Sequence, residues 1–199
     1  VNGTGIDINH FPFNKFEEKK DLKFLMISRL IEEKGIIYFY EAAKKIKKLF
    51  PDVKFFLLGN YCDSKSGLSE EKIRSWQDEG IIDYLGETDD VRPFLGDADV
   101  FVLPTYYREG VPRTCMEALA SGLPIITTDV PGCRETVINE ESGLLIPPKD
   151  QEALNEAMLK FINEPSIISS MAEQGRKIVE EKFDINKVNL NLAKGMELI

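Results

Sequence analysis

Histidine and cysteine are scarce in this 199-residue chain, which holds one histidine, His10, and three cysteines, Cys62, Cys115 and Cys133. The cysteines are far apart, odd in number and without C-x-x-C spacing. They read as free, buried thiols of a reducing cytoplasm, not as a disulfide framework or a zinc site. His10, in a loop near the start, has no partner in the sequence and is neither a metal site nor a triad member. No G-x-G-x-x-G follows the first apolar run, and the stretch Asp63-Ser-Lys-Ser66 lacks the glycines of a phosphate loop. No run of about 18 apolar residues occurs, so nothing in this segment is expected to span a bilayer. Positive charge is in deficit, 25 Lys and Arg against 34 Asp and Glu for a net charge of −9. That balance argues against nucleic acid as a partner and against docking on anionic lipid. Internal repeats and low-complexity tracts are absent. No signal peptide is evident, and the glycine-rich opening from Val1 to Asp7 reads as a fragment cut at an interdomain linker.

What remains is ordinary for a globular protein, with 43% hydrophobic and 30% charged residues. The length suits one domain or a large single unit. Short apolar runs at 22–28, 53–58, 81–85, 99–103, 124–127 and 143–146 predict six strands. Helical patterns fall between them at 34–50, 69–79, 90–95 and 112–121. The first carries Ile36, Phe39, Tyr40, Ala43, Ile46 and Phe50 on one stripe. Its Lys44, Lys45, Lys47 and Lys48 read as a solvated helix end that offsets the negative dipole terminus. Trp76 reads as core packing. After Pro147-Pro148 the pattern is wholly helical: a helix capped by Asp150, a second over 165–183 and a third following Asp184. Such alternation predicts an α/β fold, a doubly wound Rossmann-like parallel sheet of about six strands with a C-terminal helical extension. With the common order 3-2-1-4-5-6, strands one and four are neighbours where the winding reverses, and ligands lie at their carboxyl ends.

The loop after strand four carries the most informative residues, Glu109-Gly110-Val111-Pro112-Arg113-Thr114-Cys115-Met116-Glu117. Pro112 is expected at the first helical position, where its missing N–H costs nothing. The amides of Arg113 and Thr114 then point forward unpaired at the positive end of a helix, a site suited to an anion such as phosphate. With Glu109 before that end and Glu117 two turns in, the pattern suits a sugar nucleotide: diphosphate for the amides, hydroxyl-rich rings for the carboxylates. The loop after strand one brings Arg29 and Lys34 to the same place. Without a metal, Arg29 as a planar fork and Lys34 as a point charge neutralise the leaving diphosphate. The one Asp-x-Asp, Asp97-Ala98-Asp99, precedes strand four at the opposite end of the sheet and is not read as a metal ligand. Gly59 and Gly86, at strand ends, are expected to let the nucleotide base approach the backbone.

The spacing of Glu109 and Glu117, closed by Ala118-Leu119-Ala120-Ser121-Gly122 and followed by Leu123-Pro124-Ile125 through Asp129-Val130-Pro131-Gly132-Cys133-Arg134-Glu135, resembles the family 4 retaining glycosyltransferases. The likeness is greatest to members that build capsular, exopolysaccharide or lipid-linked oligosaccharides of the cell envelope. The resemblance covers the family's C-terminal, donor-binding half of a two-domain GT-B fold. It implies that Arg29 and Lys34 contact the donor diphosphate without a divalent ion or other cofactor. It further implies that Glu117 accepts from the ribose hydroxyls and that Glu109 meets the transferred sugar, with the Gly110 and Val111 amides nearby. Arg29, Lys34 and Glu109 form the expected catalytic set, with same-face attack helped by the leaving phosphate. Many relatives have Gly-Phe-Gly after the first glutamate, where this chain has Gly110-Val111-Pro112-Arg113. The Arg113 side chain is thus a candidate contact to a phosphate or an acidic sugar.

The expected organisation is an interdomain linker and lead-in segment over 1–20, a nucleotide-sugar donor domain over 21–183, and a C-terminal helix over 184–199 returning to an N-terminal partner domain. The expected partners are a UDP-sugar donor and a glycan or lipid-linked glycan acceptor held by that other domain. The expected location is cytoplasmic, peripheral at the inner face of the membrane in the full-length protein. Two alternatives stay open on the residues: a sugar-nucleotide epimerase half of the same architecture, and a non-catalytic nucleotide-binding module.

Overall fold

Apolar runs of four or five residues bounded by turns pair most completely as parallel strands buried on both faces. Five strands of that length form here, β1 (Lys23–Ile27), β2 (Lys54–Leu58), β4 (Val100–Leu103), β5 (Ile125–Thr128) and β6 (Gly143–Ile146), and a two-residue strand, β3 (Asp83–Tyr84), joins them. The computed structural model of the chain describes residues 5–19 and 21–196. Residues 1–4 and Lys20 of the expected linker, and 197–199 of the expected last helix, lie outside the described residues. The strands form one parallel sheet in the order β3-β2-β1-β4-β5-β6, the expected order. Leu25 at its centre stands opposite Phe56 on one neighbour and Phe101 on the other.

Seven helices complete the described chain: α1 (Ile36–Lys47), α2 (Glu70–Asp78), α3 (Arg92–Asp97), α4 (Arg113–Ala120), α5 (Gln151–Asn163), α6 (Ile167–Lys182) and α7 (Ile185–Gly195). α1 packs on α5 and α4 on α6. Phe24 stacks on Phe55 at 5.4 Å and Phe39 meets Phe55 edge-on at 5.9 Å, which ties α1 to the sheet. Trp76 is a core residue, stacked on Tyr40 at 4.3 Å. The lysines at the end of α1 are engaged at the surface, Lys44 with Glu79, Lys45 with Glu152 and Lys47 with the Gly80 carbonyl.

Several boundaries differ from the sequence expectation for physical reasons. The helix expected from residue 34 starts at Ile36, because Glu32–Lys34 form a 3-10 turn closed by Gly35 at φ +83°. A Cβ on Gly35 would stand 2.2 Å from the Pro104 carbonyl oxygen, so close passage beside the end of β4 dictates the turn. The edge strand β3 is two residues long and pairs only with Phe56 and Leu57 of β2. Asp90 caps the turn before α3 by accepting from the Arg92 amide at 3.1 Å, which delays that helix. Cys115 and Cys133 are buried as expected, but Cys62 is only half-buried.

Residues 5–14 are held against the domain. The Ile6 amide donates to the Phe183 carbonyl at 2.8 Å and the Ile6 carbonyl accepts from Ile185 at 2.9 Å, joining this segment to the α6–α7 junction. Phe11 is buried, and Arg176 of α6 donates to the Phe11 and Ala120 carbonyls at 3.0 and 2.6 Å. His10 lies in a short 3-10 turn, not an open loop, with its Nδ1 3.6 Å from Asp7.

Candidate functional site

Two loops meet at the reversal of winding. In the first, Leu30 and Ile31 bury their side chains and leave Arg29 exposed just past β1. The Ser28 and Leu30 amides donate to the Leu58 and Asn60 carbonyls, each at 3.0 Å, which fixes the backbone on either side of Arg29. The second loop, after β4, is clamped to the first through a single carbonyl. Glu33 accepts from the amides of Tyr106 and Tyr107 at 2.9 and 3.1 Å and from the Thr105 hydroxyl at 3.1 Å. Thr128 of β5 holds the same loop from behind by donating to the Thr105 carbonyl.

This clamp brings Lys34 to Glu109. Lys34 is 7% exposed, and its ammonium donates to Glu109 Oε1 in a partly buried ion pair. A buried lysine without such a partner would carry a desolvation cost of several kcal/mol. Beside the pair, the ring of Tyr107 faces two cations, with Arg29 Cζ 5.8 Å and Lys34 Nζ 5.2 Å from its centroid. Behind Glu109, a turn containing Gly132 at φ +88° presses on the Glu109 and Gly110 carbonyls so closely that a Cβ there would stand 2.3 Å from the latter. Burial pushes the Cys115 and Cys133 thiols above their ordinary range, and both sense the Glu109 charge.

Helix α4 begins at Arg113, with Pro112 as its N-cap residue and not its first helical one. The Pro112 carbonyl accepts from the Cys115 and Met116 amides, while those of Arg113 and Thr114 have no acceptor among the described residues. Gly122 closes the helix at φ +85°. One turn in, Arg113 Nε donates to Glu117 Oε1 at 2.8 Å. The Glu117 side chain is 9% exposed and that of Arg113 70%. Burial raises the Glu117 carboxyl above its ordinary value, and the Arg113 guanidinium works against that rise.

The sequence-predicted residues line neighbouring hollows, not a single slot. Arg29, Gly59 and Thr114 border a cavity of about 520 Å³ that opens beyond β1, β2 and the start of α4. Arg113 and Glu117 border a second, of about 300 Å³, which shares Asp89 and Val91 with the first. Glu109 and Gly110 border a third, of about 630 Å³, with Val130 and Pro131 on its far wall. Tyr107 stands between the first and third, since Arg29 and Lys34 pack on its one ring. The five expected charged residues Arg29, Lys34, Arg113, Glu109 and Glu117 are thus gathered at one end of the sheet, in two ion pairs and a shared aromatic contact. Gly86 lines none of these hollows; its carbonyl accepts from the Gly59 amide at 2.8 Å. Gly59 passes so close to β1 that a Cβ would stand 1.8 Å from the Ser28 carbonyl oxygen. Val111 is half-buried against the core.

Asp97 and Asp99 lie before β4, at the opposite end of the sheet, as expected. Asp97 takes the Lys23 ammonium at 2.5 Å, and Asp99 takes the Lys23 amide at 2.8 Å and the Lys19 ammonium at 3.0 Å. Among the described residues no group of three His, Cys, Asp or Glu side chains is placed to hold a metal ion. Four residues went unread in these roles. Gly132 lies in a stretch already singled out, where a left-handed glycine turn beside the motif was the available signal, and Tyr107 lies just before the Glu109 motif, with no such signal. Asp7 and His10 reach the hollow of Glu117 through long-range packing of Ile6 and Phe11, for which the sequence holds no local sign.

A capsular polysaccharide biosynthesis glycosyltransferase, CapM of Staphylococcus aureus, is 30% identical over 90% of this chain and 49% of its own length. An N,N'-diacetylbacillosaminyl-diphospho-undecaprenol alpha-1,3-N-acetylgalactosaminyltransferase of Campylobacter jejuni is 31% identical over 87% of the chain and 47% of its own length. The chain therefore spans about half the length of these curated relatives. Among solved structures, Anabaena HepE in complex with UDP superposes with a TM-score of 0.84 at 19% identity, over 98% of this chain and 56% of that one. It shares the fold, the doubly wound half of a GT-B architecture. The model of the family described as glycosyl transferases group 1 matches residues 7–178, and the chain belongs to that family.

Proposed function

We propose that the chain is the nucleotide-sugar-binding half of a retaining glycosyltransferase that moves a sugar from a UDP-sugar to a polysaccharide or lipid-linked glycan. The observation that carries this reading is the meeting of Lys34 with Glu109 beside the open amides of α4, where the winding of the sheet reverses. The names of the relatives support it, one acting in capsule synthesis and one on an undecaprenol diphosphate glycan, and so does the UDP held by HepE.

In this reading the diphosphate takes the Arg113 and Thr114 amides, the Arg29 guanidinium and the Lys34 ammonium, so that charge leaving with it is neutralised without a metal. Lys34 then exchanges Glu109 for phosphate, and the freed Glu109 accepts from hydroxyls of the transferred sugar. Glu117 accepts from the ribose diol, and Gly59 and Gly86 let the base lie close to the backbone. The acceptor attacks from the face the diphosphate leaves, and the leaving phosphate helps to take its proton. The acceptor site belongs to the part of the protein beyond this chain, which works at the cytoplasmic face of the membrane. No helix among the described residues is long and apolar enough to cross a bilayer.

The chain alone is then expected to bind UDP weakly and to transfer no sugar. Calorimetry with UDP tests this, using Glu117→Ala as the control. No heat of binding with the wild-type chain, or equal binding by the variant, would refute the reading.

A further inference from the structure

We infer that Tyr107 is a positioning residue, holding Arg29 and Lys34 ready for the donor diphosphate without occupying their hydrogen-bond donors; this rests on the functional reading above. The ring has a cation on it from each of two elements, Arg29 Cζ at 5.8 Å and Lys34 Nζ at 5.2 Å from the centroid. Its backbone is immobilised twice, the Tyr107 amide donating to the Glu33 carbonyl and to the Thr105 hydroxyl, each at 3.1 Å. The ring therefore stands at a fixed place between two loops and remains 38% exposed.

The choice of an aromatic partner has a physical logic. Arg29 has no carboxylate partner among the described residues, yet it lies beside a second cation. A carboxylate at position 107 would steady both cations but would compete with an incoming diphosphate for the same N–H groups. A ring face attracts cations through its quadrupole and takes no hydrogen bond from the guanidinium, so all five donors stay available. The adjacent Tyr106 has a different set of neighbours: Lys149 lies over its ring at 4.5 Å and Tyr38 meets it edge-on at 6.3 Å. Of the two tyrosines, 107 is the one that faces the diphosphate cations.

The test compares the wild-type chain with Tyr107→Leu and Tyr107→Phe, each checked by thermal melting, for binding of UDP, uridine and inorganic pyrophosphate. Losing cation–ring contacts of typical strength is expected to weaken UDP and pyrophosphate binding by Y107L about 5- to 30-fold, with uridine unchanged. Y107F keeps the ring and is expected to bind all three within about twofold of wild type. The inference is overturned if Y107L binds UDP as wild type does, if uridine binding falls in parallel with UDP, or if Y107F is as weak as Y107L. Wild-type chain that binds pyrophosphate but not UDP would sink the nucleotide-sugar reading and leave the Tyr107 inference standing on the pyrophosphate series. Binding of neither would overturn both.

Discussion

Replacing Gly132 by alanine is expected to damage this domain well beyond what its backbone conformation alone would cost. Gly132 and Gly86 both sit in the left-handed region, at φ +88° and +81°, so an alanine at either incurs the same strain of about 1–2 kcal/mol. Their surroundings differ. A methyl at Gly86 meets nothing within 4 Å, whereas one at Gly132 stands 2.3 Å from the Gly110 carbonyl oxygen and 2.8 Å from that of Glu109. Those atoms are backbone and cannot rotate away, so the Glu109–Gly110 segment must shift bodily. Overpacking of this kind adds about 1–3 kcal/mol.

The two variants together isolate the close approach from the strain. For a domain of this size 1 kcal/mol moves the melting temperature by about 2–4 °C, which puts Gly86→Ala about 2–8 °C below wild type. Gly132→Ala is expected about 4–20 °C below it, by the sum of the two costs. Calorimetric melting of the three proteins measures the difference directly. Because the shift moves the carbonyls that carry Glu109, G132A is also expected to lose preference for a UDP-sugar over UDP, while G86A keeps it. Equal melting temperatures for the two variants would refute the argument that Gly132 supports the Glu109 loop.

Burial raises the Glu117 carboxyl, so the stability linked to its protonated form is present below the ordinary carboxylate range and is lost as pH rises through the raised value. Glu117→Gln is therefore expected to melt above wild type at pH 7, with the advantage shrinking as pH falls towards about 4, while UDP binding weakens; melting between those pH values that shows no such convergence would contradict it. Arg29→Met is expected to weaken UDP binding about 10- to 150-fold, since a hydrogen bond to a charged group is worth about 1.5–3 kcal/mol, and to leave uridine binding unchanged by titration. Arg176→Ala strands the Phe11 and Ala120 carbonyls, so residues 7–14 are expected to become the first site of limited proteolysis, and an unchanged digestion pattern would count against their being held by α6.

Much of the architecture was legible because it rests on local pattern. Val100-Phe-Val-Leu103 is buried at every position and could only be an inner parallel strand, and its neighbours alternate with helices at the spacing a doubly wound sheet requires. The charged residues at the reversal point were legible for the same reason, since strand order alone places the Arg29 and Glu109 loops side by side. The finer geometry was not, because it depends on approach between backbones. Lys34 turns towards Glu109 and not along α1 because Gly35 slips past Pro104, a contact that no periodicity encodes. Asp7 and His10 reach the hollow of Glu117 because Ile6 pairs with the far end of the chain at Phe183 and Ile185. A segment whose burial is decided that far away reads as a linker in the sequence.

A chain of net charge −9 that is proposed to hold an anion needs a local arrangement that defeats its overall field. The ion pairs at the site supply one. Lys34 is held by Glu109 and Arg113 by Glu117, so among the three cations Arg29, Lys34 and Arg113 of the empty domain only Arg29 lacks a carboxylate among the described residues, and the buried lysine is satisfied. In the proposed reaction the diphosphate takes the cations and the sugar and ribose hydroxyls take the acids. Lys34 and Glu109 each exchange one partner for another in that reading, while Arg29, which has only the Tyr107 ring beside it in the empty domain, gains one. Such an exchange lowers the desolvation cost of binding, because Lys34 and the two acids already stand largely out of water before the donor arrives. It also accounts for acids and bases being interleaved along Glu109 to Glu117 in place of a purely basic phosphate loop: the acids proposed to meet the donor hold the neighbouring cations before it arrives.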